Sequence, residues 1–447
     1  MMDKEQKPGA VAVIGAGPAG LYAARQLASE GLEVVLLNRD IKPGGLAEYG
    51  IYYDKYKMKE GLRKQFRQIL AIPNIHYIGN VVVGQDGDIT LEELHELGFQ
   101  AMMVTVGAQG TKWLGLPGED LKGVYHAKDL VYHYNKLPPF STQEFAVHGR
   151  VALIGVGNVM MDIAHWAIRD LKVDEAIAVA RRGPAEVKFS KKEMEAVARN
   201  LDLEALDAEL ERVRPIMEAI GQDVQTAKAY ILSGLPKAME PTSSTRFRFD
   251  FLASPTRIVG DETGKVIGLE VENTTLVPKN GDTKARSLGT RRILDVDTVV
   301  FCIGDRVDDR FGLPVQWNEF VKNPSPRFPV DGISYEAYDQ ETGKPLEGVF
   351  MAGWSREASS GLVGVARKDG ENGAKALLQY LQTLPSSGDP KPVFDTLNQL
   401  LSRSGKRLIS KEDVACLEAY ESKEAERLGL DEIKLKSNEE MLKIIEG

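Results

Sequence analysis

The chain has 447 residues, 43% hydrophobic and 27% charged, enough to bury two sizeable cores and long for a single domain. With 56 Lys and Arg against 65 Asp and Glu the formal charge is −9, so the molecule as a whole repels nucleic acid and anionic lipid, and any basic contact must be local. Its two cysteines, Cys302 and Cys416, leave no CxxC dithiol and no ligand set for an iron–sulfur cluster or structural zinc, so redox chemistry would belong to a bound group.

The first residues, Met1 to Pro8, carry Asp3, Lys4, Glu5 and Lys7 and have neither an apolar signal core nor an Arg- and Ser-rich leader. No uninterrupted apolar span approaches the roughly 18 residues a membrane helix needs, so a cytoplasmic protein without membrane or nucleic-acid partners is expected. Nothing in the sequence sets an oligomeric state. Val11 to Ile14 is an apolar run ending in Gly15, followed by helical spacing at Leu21, Ala24 and Leu27 and a second run at Val34 to Leu37, which together predict one βαβ unit. Gly15-Ala16-Gly17-Pro18-Ala19-Gly20 falls between strand and helix, where backbone N–H groups and a helix N-terminus receive a pyrophosphate. The acid that ordinarily grips the adenosine ribose is replaced by Asn38, followed by Arg39 and Asp40. Asparagine can still hydrogen-bond a ribose hydroxyl, but it gives no support for a phosphate there.

The same plan returns at Val151 to Ile154, Gly155, the apolar-rich Met160 to Leu171, and Ala176 to Ala180. This second fingerprint, Gly155-Val156-Gly157-Asn158-Val159-Met160, lacks the small third residue that lets helix and strand pack closely. Its second strand runs into Arg181-Arg182-Gly183, two guanidinium groups where NAD enzymes carry an acid, which suits the 2′-phosphate of NADP. The bland alternative is a solvated arginine pair at a strand end. Where two fingerprints share a chain, the N-terminal one usually holds FAD. From 181 to 200 bases outnumber acids, which fits either an acidic partner or a merely solvated helix face. Residues 200 to 240 read as helical, and Arg246 to Phe251 alternates as a half-buried strand does. Apolar runs at Asp295 to Ile303 and at Gly348 to Ala352, the latter leading into Gly353-Trp354, are consistent with the chain returning to its first domain. Pro385 to Pro392 reads as an exposed connection before a helical, charged tail.

Taken together, GAGPAG at 15, GxGN with a nearby Asp at 155 to 162, RRGP at 181, FxxKE at 189 and the GW pair with its downstream glycine at 353 to 361 resemble the adrenodoxin reductase type of ferredoxin-NADP reductase. The likeness runs end to end, through Leu116 to Asp120, Tyr134-Asn135, Ser254-Pro255 and Glu439 to Leu442. It implies an α/β fold of two Rossmann-like dinucleotide-binding domains, an NADP domain at 109–328 inserted into an FAD domain made of 1–108 and 329–447. The resemblance places FAD contacts on Gly15, Gly17, Pro18, Ala19, Gly20, Asn38, Leu46, Val83, Trp354, Gly361, Leu362 and Val363. NADP contacts fall on Val156, Gly157, Asn158, Val159, Arg181, Arg182, Glu193 and Gly361.

The chemistry implied is hydride transfer between NADPH and FAD and single-electron transfer to a ferredoxin-type protein, with no catalytic side chain named because the flavin performs the reaction. Tyr52-Tyr53-Asp54-Lys55 departs from the family's Ala-Pro-Asp-His. Gly44 to Ile51 also resembles the glutamate synthase small-subunit type of flavoprotein, whose N-terminal cluster cysteines are absent here. A scaffold that binds FAD without turnover is a third reading, against which the arginine pair argues. A flavin monooxygenase would need an FxGxxxHxxx(W/Y) motif that Phe140 to Arg150 does not supply.

Overall fold

A computed structural model of the chain describes residues 9–359, 361–385 and 389–447; part of the connection expected at 385–392 lies outside them. The chain divides into two units. One comprises residues up to 111, 132–142 and 305–447; the other, inserted into it, comprises 112–131 and 143–304. Each is built on its own parallel sheet, so the architecture is α/β with two Rossmann-like units, as expected.

In the first unit the strand Ala10–Ile14 is buried at every residue, because helices cover both faces of a parallel sheet. The strand order is Glu336–Asp339, Lys344–Met351, Ala101–Val104, Ala10–Ile14, Glu33–Leu37, Ile75–Ile78, with only the Glu336–Asp339 edge antiparallel. Alternate residues point to opposite faces. Val11, Val13, Leu36 and Met103 pack on one side with Leu21, Leu27 and Leu377, while Ala12, Ile14, Met102 and Val104 pack on the other with Leu94, Leu397 and Leu401. The helical tail returns to the first of these cores through Val414 and Leu417 of the helix Lys411–Leu428 and Met441 of Asn438–Glu446.

In the inserted unit the sheet runs Val124–His126, Thr298–Phe301, Arg150–Ile154, Glu175–Val179, Arg246–Asp250, all parallel. The strand at Arg246 and the helices Leu203–Glu218 and Val224–Leu232 fall where the sequence patterns place them. An element not anticipated is a three-stranded antiparallel sheet, Ala253–Gly260, Val266–Lys279 and Asp282–Leu294, packed through Leu269 and Val271 against Ile177 and Val179. Its long hairpin turns at Asn280-Gly281, both with positive φ (49° and 79°), the backbone signature of a type I′ turn.

Candidate functional site

In the first unit the chain turns from strand to helix at Gly15, whose φ of +106° and proximity to Thr105 leave no room for a side chain: a Cβ would stand 2.5 Å from the Thr105 carbonyl oxygen. At Gly20, inside the helix Pro18–Ser29, a Cβ would lie 1.8 Å from the carbonyl oxygen of Gly15, so this glycine sets how closely helix and strand approach. Gly17, between them, is different. It caps the helix with no side-chain cap, and a Cβ there would meet nothing within 4 Å. The N-terminal amides thus face open space at the carboxyl end of the strand, beside the point where the sheet order reverses.

Of the other expected FAD residues, Leu46, Val83 and Trp354 follow this turn or neighbouring strands, and Gly361 and Leu362 lead into the helix that begins at Val363. Gly44 N donates to Ala16 O (2.7 Å), and Gly45 comes close enough that its Cβ would be 3.1 Å from the Gly17 Cα, placing Leu46, the first residue of the next helix, beside the loop. Val83 follows Val81, whose amide donates to Asn38 O at 2.9 Å. Trp354 lies in the 3₁₀ turn Gly353–Ser355 after the strand Lys344–Met351. Gly107 N donates to Ser355 Oγ (2.9 Å), and Gly353 N to Asp369 Oδ2 (2.7 Å) of the long helix Val363–Leu381. Gly361 has φ +73°, and Leu362, exposed, caps that helix without a side-chain cap. Gly370 lets it lie against the first helix, since a Cβ there would be 2.1 Å from Ala19 O.

Asn38 is buried and its side chain is committed to the fold: Oδ1 accepts from Ala16 N (3.1 Å) while Nδ2 reaches the carbonyls of Asp40 (2.8 Å) and Lys42 (3.1 Å). It therefore ties the glycine turn to the end of the second strand. Tyr52 stacks on Tyr53 (4.8 Å, 26°) and approaches Tyr134 at 5.3 Å, so the departure from Ala-Pro-Asp-His is an aromatic cluster.

Sequence reasoning missed a set of buried charges behind this cluster. Glu48 pairs with Arg63 (2.6 Å) and Lys434 (2.7 Å), Arg63 also with Glu432, and Lys42 with Glu421. Burial opposes ionisation of Glu48, but Lys434, Lys42 and Arg63 outweigh it and hold the carboxyl well below its usual range. Lys59, fully buried, donates to Asn135 Oδ1 at 2.8 Å; burial, with repulsion from Lys434, brings its pKa down to about 7. Arg63–Glu432, Lys42–Glu421 and Glu48–Lys434 join residues 369 to 386 positions apart in the chain, so no local pattern announces them.

The inserted unit repeats the turn. Gly155 has φ +122° and a Cβ would be 2.5 Å from Cys302 O, while Gly157 caps the helix Asn158–Trp166 with open space around it. The third position, Met160, is fully buried, so this helix tolerates a side chain where the first does not. Asn158 Oδ1 accepts from Ser190 N (2.8 Å) and Val156 O accepts from Lys188 N (2.8 Å), which lays the segment bearing Glu193 against Val156–Val159. Arg181 and Arg182 follow the neighbouring strand end. Arg182 donates to Asp282 (3.1 Å) on the hairpin and to Thr283 O (3.2 Å), beside a cavity of about 550 Å³. The signal that could have found this hairpin is the dipeptide Asn280-Gly281 at its turn.

Residues 9–214 match the family model described as pyridine nucleotide-disulphide oxidoreductase. The NADPH-ferredoxin reductase FprA of Mycobacterium leprae is 28% identical, covering 98% of both chains, and the mitochondrial NADPH:adrenodoxin oxidoreductase of Mus musculus is 26% identical, covering 99% of this chain and 92% of that one. The solved structure of Mycobacterium tuberculosis FprA in complex with NADPH superposes with a TM-score of 0.81 at 25% identity, over 98% of this chain and all of that one. The two cysteines, one buried and one exposed and 114 positions apart, rule out the dithiol of the family's disulphide-reducing members. With its paired glycine turns, the chain is similar along nearly its whole length to the NADPH-ferredoxin reductases and the NADPH:adrenodoxin oxidoreductases.

Proposed function

We propose that the chain is an FAD-containing reductase that takes a hydride from NADPH and passes electrons singly to a ferredoxin-type iron–sulfur protein in the cytoplasm. The observation that carries this is the pair of strand–glycine–helix turns, each with an uncapped helix N-terminus opening on free space at a point where its sheet order reverses. The first turn fits FAD: Gly15 and Gly20 bring strand and helix together, and Gly17 leaves the room a diphosphate requires. Gly15 to Gly20, Leu46, Val83, Trp354 and Gly361 to Val363 would hold it, with Asn38 bracing the turn. Val156 to Val159, Arg181, Arg182 and Glu193 would hold the nicotinamide coenzyme in the inserted unit, residues 112–131 and 143–304.

FAD, when bound, supplies the conversion between two-electron and one-electron transfer. The protein's part is to orient the two rings and exclude water, which needs no nucleophile or general base of its own. Among the described residues no helix is long and apolar enough to cross a membrane. The relatives' names, NADPH-ferredoxin reductase and NADPH:adrenodoxin oxidoreductase, support an iron–sulfur acceptor. NADPH-driven cytochrome c reduction that depends on added ferredoxin is expected. A rate unchanged by omitting ferredoxin would refute that acceptor.

A further inference from the structure

The two arginines after the strand Glu175–Val179 stand in different states. Arg181 is exposed, and among the described residues its guanidinium has no partner. Arg182 is three-quarters or more buried, and its Nη1 lies 3.1 and 3.3 Å from the two carboxylate oxygens of Asp282. Asp282 opens the second strand of the long hairpin, and its carboxylate is 71% exposed.

The hairpin tip is not free to drift from this position. Thr283, next in sequence, donates its hydroxyl to Glu186 Oε1 (2.7 Å), which also accepts from Gln222 Nε2 (2.6 Å), and its carbonyl accepts from Arg182. Glu186 thus fastens the hairpin to the loop that carries the arginines. The cavity these residues line holds two cations, Arg182 and Lys188, and two carboxylates, Glu186 and Asp282. A subsite for a dianionic phosphate would ordinarily keep an excess of positive charge; within this lining the charges balance, so the excess must come from Arg181 outside it.

We propose that Asp282 is a specificity-determining residue that lowers the enzyme's preference for the 2′-phosphorylated coenzyme, leaving Arg181 as the principal phosphate ligand. The inference rests on the reading of Arg181 and Arg182 as the 2′-phosphate site. A phosphate arriving there must share Arg182 with Asp282 or displace it, and in either case it meets the carboxylate's repulsion. NAD, with a neutral hydroxyl at that position, meets no such opposition.

The test is calorimetric titration of the FAD-loaded protein with NADP⁺ and with NAD⁺, for the wild type, Asp282→Asn and Arg181→Ala. Removing one partly exposed like charge should tighten NADP⁺ by about three- to tenfold and leave NAD⁺ within about twofold. Arg181→Ala should weaken NADP⁺ by tenfold or more and NAD⁺ little. If Arg181→Ala leaves the ratio of the two affinities unchanged, the 2′-phosphate reading fails and the inference with it. If Arg181→Ala lowers the ratio but Asp282→Asn leaves it unchanged or lowers it, the site stands and Asp282 is an orienting partner of Arg182 instead. Asp282 lies mostly in solvent, so the substitution should not disturb folding.

Discussion

Gly17→Ala separates the chain's own needs from those of its ligand. A Cβ at position 17 meets no protein atom within 4 Å, and the backbone there (φ −76°, ψ −178°) is open to any residue. The cost to the ligand-free protein is therefore only that of replacing a glycine N-cap by alanine, within about 1 kcal/mol. The methyl would instead stand in the space above the helix N-terminus, where a diphosphate must approach the amides closely. Losing that approach should weaken FAD by at least tenfold, about 1.4 kcal/mol or more. Gly20→Ala is the contrasting case: its Cβ would sit 1.8 Å from Gly15 O and 2.6 Å from Thr105 Oγ1, so helix and strand must part by more than 1 Å, at about 1–3 kcal/mol or more of overpacking strain. Flavin content per chain after purification, flavin affinity of the reconstituted protein and urea unfolding of the flavin-free form give the readouts. A Gly17→Ala protein that keeps full flavin affinity would refute the assignment of this turn to the diphosphate.

Gly157→Ala, open by the same criterion, should weaken NADP⁺ binding while leaving bound FAD intact, checked by titrating the flavin-loaded variant. Gly370→Ala tests the packing of the two long helices: in an exposed helix alanine would stabilise by about 1 kcal/mol, but here its Cβ would be 2.1 Å from Ala19 O, so a lower urea midpoint is expected. Lys59, with its pKa brought down to about 7, gives a pH signature. Above pH 7 the folded chain has released a proton that the unfolded chain keeps up to the ordinary lysine range, so stability rises with pH across that window, by up to about 1.4 kcal/mol per unit from this group. Lys59→Met should flatten that rise in urea unfolding at pH 7 and pH 9; equal slopes in variant and wild type would count against a neutral buried lysine.

Much of the fold could be read directly because its signals are local. Gly15, Gly17 and Gly20 lie between an apolar run and a helical pattern, the context that marks a strand-to-helix turn, and Arg246 to Phe251 alternates because one face of its strand is buried. The antiparallel sheet at 253–294 escaped because its outer strand, Asp282–Leu294, is exposed along most of its length and so carries little hydrophobic alternation. Only its Asn280-Gly281 turn is a strong signal. Of the candidate site, the glycine turns and the arginine pair could be placed from their position in a βαβ unit. Asp282, Lys59 and Glu421 read as ordinary surface charges, and only the fold brings them to their partners Arg182, Asn135 and Lys42. Asn38 shows the reverse: its position marked it for a ligand, and the fold occupies all of its polar atoms.

The most direct test of the central claim is spectroscopic. Purified protein should carry a yellow, FAD-type visible absorbance, and anaerobic addition of NADPH should bleach it faster than the same concentration of NADH. Protein that holds flavin whose absorbance neither coenzyme changes would contradict a reductase.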